Sequence, residues 1–142
     1  ALPILQRYGF TGTFFIVKAF IGRPFYLTND QLGQMSIAGM ELGGHSVHHK
    51  NLANLGYEDQ IEEIADGQTD RGPIFAYPSG KYSPTTLDVL DGLGIKAAVT
   101  TNFGLATDLS DPLELPRIRV KENTDLLKVI RDETNKLGAG LK

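Results

Sequence analysis

The chain has 142 residues, of which 41% are apolar and 22% charged, and its formal net charge is −3. Acids and bases are interspersed, which excludes the basic face of a nucleic-acid-binding protein, and no apolar run approaches the roughly 20 residues of a membrane span. The absence of cysteine excludes disulfides and thiolate metal ligands. We expect residues 1–142 to form one domain, and the composition predicts no oligomeric state.

Short apolar runs alternate with amphipathic stretches in the first part of the chain. Residues 1–9 (ALPILQRYG) are typical of the last turns of a helix, and residues 12–17 (GTFFIV) predict a strand buried on both faces. Residues 28–40 predict a helix with Thr28 as its N-cap, and residues 40–45 predict the next strand. The residues of this helix that we expect to face inward are Leu32, Met35 and Ile37.

The second part of the chain continues the alternation. The predicted elements are a helix over residues 57–68, a strand over 73–78, a helix over 83–94, strands over 95–101 and 115–120, and a helix over 123–138. Ile61 and Ile64 form the apolar side of the first of these helices. Ser83 is the predicted cap of the second, and Asn123 or Thr124 caps the third.

Repeated strand–helix units predict a mostly parallel sheet covered by helices, either open or closed into a barrel. In both arrangements the functional groups collect at the carboxyl ends of the strands. His45 lies at such an end, as the last residue of the predicted strand over residues 40–45 and directly after MELGG. Gly43 and Gly44 precede it, and we expect them to let the backbone pass close to a bound group.

All three histidines of the chain, His45, His48 and His49, lie in this run. If Ser46 caps a helical turn, the rings of His45 and His49 point the same way and reach one metal ion, while His48 points elsewhere. The same spacing also arises in helices that bind no metal. Two ligands do not complete a zinc site, which needs at least three protein groups, so the residues alone leave metal binding open.

The run over residues 39–52 (GMELGGHSVHHKNL) resembles the H-[S/T]-x-x-H motif of the polysaccharide deacetylases, the NodB-type group called carbohydrate esterase family four. Residues 1–22 resemble the helix and second strand of that domain, and residues 27–46 resemble the segment leading to the motif. Residues 75–101 resemble its third motif region, in the variety reading F-A-Y-P. The segment LELPRIRV, residues 113–120, recurs in that variety.

The resemblance implies a distorted (β/α) barrel that holds a divalent metal, most often Zn²⁺, by an Asp-His-His set and removes acetyl groups from chitin, peptidoglycan or poly-N-acetylglucosamine. His45 and His49 would be the histidine ligands, and the backbone N–H of Ser79 the oxyanion donor. Tyr77 and Pro78 would line the substrate groove. The partner is then an N-acetylated glycan, and the expected location is outside the cytoplasm, secreted, periplasmic or in the cell wall.

The chain departs from the family pattern at several places. The T-F-D-D-G motif, which carries the base and the aspartate ligand, is expected before Ala1, so the barrel is predicted to lack its first strand here. The late L-x-H motif has no counterpart. Arg117 either replaces the family's base-orienting arginine or is a strand-end surface arginine. The stretch between Glu58 and Pro73 is short for the family, which indicates a natural deletion or a join across absent residues.

These departures leave three functions open: a metal-dependent deacetylase, a catalytically impaired carbohydrate-binding relative, and a metal-bound structural domain. Aromatic residues after the strand over 12–17 either contact sugar rings or cover the core; they are Phe20, Phe25 and Tyr26. Asp108 and Asp111, in the sequence TDLSDP, are typical of turns rather than of a carboxylate pair.

Overall fold

The computed structural model describes residues 1–68 and 72–139, and it has a four-stranded parallel sheet with helices between successive strands. The strands are β1 (Thr13–Ile16), β2 (Glu41–Gly44), β3 (Ile74–Ala76) and β4 (Ala97–Val99). The helices are α1 (Leu2–Arg7), α2 (Asn29–Ile37), α3 (Tyr57–Gln68), α4 (Pro84–Gly92) and α5 (Leu126–Ala139). The predicted short stretch before Pro73 falls partly on residues 69–71, which lie outside the described residues.

The strands stand side by side in chain order, β1-β2-β3-β4, and every pair is parallel. Their carboxyl ends therefore meet at one edge of the sheet. That edge carries His45 after β2, Tyr77 after β3 and Thr100 after β4. The predicted parallel sheet is confirmed, and its order places the histidine loop one strand away from the end of β4.

Local sequence signals determine where the helices begin. Thr28 before α2 and Ser83 before α4 are the N-caps that the sequence predicts, and each also forms a capping box with the residue three positions later. The predicted cap of α5 is wrong, because Asp125 accepts the N–H of Lys128, while the Thr124 hydroxyl accepts the N–H of Lys121. The turn before α5 uses Thr124, so Asp125 is the cap and the helix begins at Leu126.

Two apolar clusters hold the helices against the sheet. The larger lies among β3, β4, α3 and α4 and consists of Leu52, Ile64, Phe75, Tyr77, Val89, Leu90, Ile95 and Ala98. The smaller lies under α2 and consists of Leu32, Met35 and Met40. Partly buried side chains of α1, β1 and β2 pack against the smaller cluster. Ile64, Leu32 and Met35 thus take the inward positions that helical periodicity predicts.

Ile37 does not face inward, because 90% of its surface is exposed. It lies two positions after Met35, and a helix of 3.6 residues per turn carries such a residue to the opposite face. The prediction that β1 is buried on both faces is also wrong. Phe14 and Phe15 are half-buried, since β1 pairs with β2 and ends the sheet on that side within the described residues.

Residues 115–120 do not form the predicted strand. Leu115 makes a single parallel bridge with Val99, and the segment then leaves the sheet. Pro116 has no N–H to donate to a ladder, and the N–H of Arg117 bonds to the carbonyl of Asn102 at 2.8 Å. The segment therefore lies across the carboxyl end of β4 instead of extending the sheet.

None of the helices within residues 1–68 and 72–139 has the length and apolarity that crossing a membrane requires.

Gly67 lets α3 approach the loop that follows β2. A Cβ atom at Gly67 would stand 2.6 Å from the carbonyl carbon of Ser46, a backbone atom that cannot rotate away. Gly33 in α2 is the matched case, because a Cβ there would meet no atom within 4 Å. The close contact between α3 and the loop thus depends on the missing side chain at Gly67.

We predict that Gly67→Ala lowers the free energy of unfolding by about 1–3 kcal/mol, because the added methyl group separates α3 from Ser46. Gly33→Ala should raise it by about 0.5–1 kcal/mol, since alanine favours a helix interior. Urea unfolding followed by circular dichroism measures both. Equal effects of the two substitutions would contradict the packing described for Gly67.

Candidate metal and active site

The histidine loop, residues 45–50, brings the rings of His45 and His49 together without forming a helix. The ring centroids lie 4.7 Å apart, with the planes at 79°. The predicted helical turn is absent from this loop, and instead Ser46 and His49 adopt φ values of +62° and +59°. The Ser46 hydroxyl, fully buried, accepts the N–H of His49 at 2.8 Å and so stabilises the turn.

A backbone carbonyl fixes the orientation of the His45 ring. His45 Nδ1 lies 2.6 Å from the carbonyl oxygen of Ala76, at the end of β3. A carbonyl oxygen accepts and never donates, so Nδ1 carries the proton and Nε2 keeps its lone pair. Histidines that bind metals are commonly oriented in this way, with the other ring nitrogen held by a carbonyl or carboxylate.

The electrostatic surroundings favour the neutral form of His45. Burial lowers the pKa of His45 below its ordinary value of 6.5, although the bond to Ala76 opposes the shift. The nearby His49 and the positive charge of Arg117 lower it further. A neutral imidazole is the form that binds a metal ion, so His45 is ready for this role at neutral pH without losing a proton.

Glu63 of α3 holds the other side of the histidine loop. Its carboxylate accepts the N–H of His48 at 2.9 Å and the His48 ring nitrogen at 2.8 Å, and it pairs with Lys50 at 3.0 Å. Its backbone carbonyl accepts the N–H of Val47 at 3.0 Å. These contacts hold the residues on both sides of His49, and they turn the His48 ring towards α3, as the sequence predicts for His48.

The spacing of polar residues in α3 also indicates this contact, which the spacing of its apolar residues alone does not show. Gln60, Glu63, Ile64 and Gly67 follow the spacing of one helix face, and all four are buried. Polar residues at inward positions of a helix indicate a polar partner inside the fold. Here the partner is the loop after β2.

Gly43 serves the sheet rather than a bound group, contrary to our expectation. A Cβ atom there would lie 2.7 Å from the Phe15 ring and 3.1 Å from the Ile74 side chain. The side chains of the neighbouring strands therefore cross over this position, and a larger residue would push them apart.

The turn after β3 places Ser79 near the end of the same strand that binds His45. Ser79 is exposed and has a φ of +54°, and its N–H has no acceptor within the described residues. The side chains of Tyr77 and Pro78 are buried, Tyr77 to 1% exposure. The Tyr77 hydroxyl donates to the carbonyl of Leu113, and burial raises its pKa. The burial of these two side chains contradicts the expectation that they line a substrate groove.

Arg117 lies on the same side of the molecule as the histidines. Its Nε donates to the carbonyl of Thr100 at 2.7 Å, directly after β4, and its charge reaches His45 strongly enough to lower the pKa of that ring. It is exposed but anchored by this bond. This bond uses only Nε, so the two terminal nitrogens of the guanidinium, Nη1 and Nη2, take no part in it.

The remaining candidates take structural positions. Asp111 accepts the N–H of Leu113 and begins a short turn, in agreement with the turn prediction. Phe20 and Tyr26 pack together at 4.8 Å beside β1, whereas Phe25 is fully exposed with a φ of +70°. Phe20 and Tyr26 therefore cover the edge of the core, and Phe25 is free to contact another molecule.

The donor set fits part of a metal centre. His45 and His49 offer two imidazoles with adjacent rings, and the Nε2 of His45 is unprotonated. No group of three histidine, aspartate or glutamate side chains in residues 1–68 and 72–139 is arranged to hold an ion. The described residues thus supply two ligands of nitrogen type, and a complete centre needs at least one more.

Comparison with known proteins gives consistent results. Residues 1–98 match the sequence profile of the family described as polysaccharide deacetylase. YxkH of Bacillus subtilis (strain 168), named as a polysaccharide deacetylase, is 31% identical over 127 residues, which are 84% of this chain and 46% of YxkH.

Two solved structures share the fold. The Streptococcus pyogenes deacetylase PplD, in complex with acetate, is 30% identical, with a TM-score of 0.85 over 93% of this chain and 62% of PplD. IcaB from Ammonifex degensii is 21% identical, with a TM-score of 0.78 over 86% of this chain and 61% of IcaB, and shows the fold alone. The predicted fold class is confirmed, and the chain spans less than two thirds of the length of these relatives.

We predict that the His45 ring titrates below pH 6.5 and carries its proton on Nδ1 when neutral, because it is buried against the Ala76 carbonyl. As the pH falls, His45 is protonated near pH 6.5 in the unfolded chain, before it is protonated in the folded protein. Protonation of His45 therefore lowers the free energy of unfolding between about pH 6.5 and its folded pKa. Nitrogen-15 NMR of the imidazoles across pH 4–8 measures both properties. A His45 ring protonated on Nε2, or one that titrates above pH 6.5, would contradict this geometry.

Glu63→Gln should lower the free energy of unfolding at pH 7 by about 2 kcal/mol, because an amide cannot satisfy three donors at a buried position. The surrounding donors lower the pKa of Glu63 below 4.5 against the effect of burial. The charged form of Glu63 therefore stabilises the fold fully above pH 4.5, and this stabilisation is lost as the pH falls through the folded pKa of Glu63.

The exposed neighbour Glu62 provides the control for that substitution. Glu62→Gln should change the unfolding free energy by less than about 0.5 kcal/mol. Urea unfolding of the three proteins at pH 7 and pH 3 separates the cases. A Glu63→Gln effect of equal size at both pH values would show that packing, and not the charge, is responsible.

Proposed function

Since this chain belongs to the polysaccharide deacetylase family, we propose that the protein hydrolyses N-acetyl groups of an N-acetylated polysaccharide of the chitin, peptidoglycan or poly-N-acetylglucosamine type. We propose a divalent metal ion, Zn²⁺ by preference, as its cofactor. Substrates of this class lie outside the cytoplasm, so the proposal includes a secreted, periplasmic or wall-associated protein.

One observation carries the proposal. The rings of His45 and His49 lie 4.7 Å apart at the carboxyl end of β2, and the Ala76 carbonyl leaves the Nε2 of His45 unprotonated. An accidental surface pair would have neither a buried hydroxyl behind it, as Ser46 provides, nor a carboxylate holding both flanks, as Glu63 provides. The fold holds these rings in place from several sides.

The roles of the chain's residues follow from these positions. His45 and His49 would hold the ion, which when bound acts as a Lewis acid on the acetamide oxygen. The N–H of Ser79 would donate to the oxyanion that develops there, a contribution of about 3–4 kcal/mol in comparable sites. Arg117 would add positive charge on the same side, in support of the carboxylate base that the family uses. Residues 1–68 and 72–139 do not complete the ligand set, so the proposal requires a third ligand and the base from other residues.

A second function follows if those groups are lacking: a relative that binds glycan without cleaving it. The observation that favours it is the two-membered donor set within the described residues. Glycan binding that persists in the presence of a chelator, with no acetate formed, would be its signature.

We expect the full-length gene product that carries this chain to release acetate from N-acetylglucosamine oligomers with added Zn²⁺ and to stop when a chelator is present. His45→Ala and His49→Ala should each reduce Zn²⁺ affinity by more than about tenfold, because each removes a ligand. Calorimetric titration with Zn²⁺ and an enzymatic acetate assay measure the two effects.

His48→Gln is the control, because its ring faces Glu63 and not the other two imidazoles. It should retain Zn²⁺ affinity within about threefold. Zn²⁺ binding that survives the loss of His45 and His49 would refute the proposed metal centre. Binding without acetate release would favour the second function.

A further inference from the structure

A polar cavity of about 250 Å³ lies beside the candidate site, under the segment that crosses the end of β4. Its walls are Thr101, Arg117, Ile118 and Arg119. Sites that enclose a whole drug-sized ligand have roughly 300–1,000 Å³, so this cavity suits one sugar ring or one substituent. Both arginines of its wall are exposed.

The two arginines bring positive charge that the described part of the chain does not neutralise. No carboxylate of residues 1–68 or 72–139 forms an ion pair with Arg117 or Arg119. Glu133 of α5, which like Pro116 lies within 4 Å of the place that a Cβ atom at Gly104 would take, pairs with Lys136 instead. In a chain of net charge −3, a cavity lined by two guanidinium groups that pair with no carboxylate of the described residues is a favourable place for an anion. Arg119 is the group available to contact the anion, while Arg117, which the proposed function places in support of the base, adds its charge to the cavity.

The cavity is connected to the histidine site through direct contacts. A Cβ atom at Gly80 would lie 2.1 Å from the hydroxyl of Thr101, so the turn carrying Ser79 touches the cavity wall. On the other side of that turn, the Ala76 carbonyl binds His45. The turn that follows β3 thus adjoins the histidine site at one end and the cavity wall at the other.

We propose that this cavity, called here the arginine subsite (Thr101, Arg117 and Arg119), binds an anionic substituent of the glycan, a carboxylate or a phosphate. The inference rests on the proposed function, because it assigns the glycan's chemistry at the same site. It makes acidic glycans the preferred substrate class over neutral chitin-type chains. Guanidinium groups bind both anions through paired N–H donors, so the geometry fits either substituent.

The test compares three oligosaccharides of equal length with the full-length protein by calorimetric titration. One is neutral N-acetylglucosamine, one carries the carboxylate of N-acetylmuramic acid, and one carries a phosphate on N-acetylglucosamine. We expect at least one anionic oligomer to bind about tenfold more tightly than the neutral one at 50 mM salt. The difference should shrink at 300 mM salt, since the added ions screen exposed charges.

Variants locate the effect. Arg119→Gln should remove most of the preference, and Arg119→Lys should retain part of it, because a point charge remains without the paired donors. Arg131→Gln, on the exposed face of α5, is the matched control and should leave the preference unchanged. Melting temperatures of the variants identify any that fail to fold.

The outcomes separate this inference from the proposed function. Equal affinity for all three oligomers, or an equal effect of Arg119→Gln and Arg131→Gln, would overturn the arginine subsite even if acetate is released. A preference that depends on Arg119 with no acetate released would support the subsite and count against the hydrolysis. The oligomer that gains the affinity identifies which of the two anions is recognised.

Discussion

The contact between α3 and the loop after β2 determines the geometry of everything at this edge of the sheet. Gly67 permits the helix to touch the Ser46 backbone, and Glu63 then reaches three donors around the loop. Burying a carboxylate is unfavourable unless donors surround it, so the helix and the loop are each satisfied only when they are packed together. The left-handed conformation of His49 is maintained by the same contact, because its neighbours on both sides are held.

The parallel order of the strands brings further groups next to this contact, and together they form the candidate site. β3 lies between β2 and β4, and the Ala76 carbonyl at its end is bound by a side chain from the β2 loop. The next turn places Ser79 within the same cluster, and the segment after β4 adds two arginines. These groups come from three successive strand–helix units, those of β2, β3 and β4. The histidine, the carbonyl and Ser79 lie at or directly after the ends of short strands, so the sheet positions them, whereas the arginines lie on the segment between β4 and α5.

Family membership and the chain's own chemistry address different questions. The family match over residues 1–98 and the superposition with PplD establish the fold and descent. The local geometry adds that the Ala76 carbonyl orients the His45 ring next to a second imidazole, and that burial lowers the pKa of His45 and so favours its neutral form. Arg117 and Arg119 also place positive charge beyond the end of β4, which the binding of a neutral sugar does not require. The proposed preference for acidic glycans accordingly rests on the residues after β4, while the proposed metal centre rests on the loop after β2.

The sequence by itself determined the order of elements, the parallel sheet, two helix N-caps and the grouping of the histidines, because periodicity and capping are local properties. It was wrong where a residue's position depended on distant partners. Residues 115–120 have a strand-like composition, but Pro116 and the bond from Arg117 to Asn102 turn them across the sheet. The resemblance places Tyr77 in a substrate groove, but its ring packs in the core and its hydroxyl donates to the Leu113 carbonyl, so the side chain is buried. Only the tertiary structure decided that a left-handed loop, and not a helical turn, brings the imidazoles together, because the contacts that stabilise that loop come from α3 and β3.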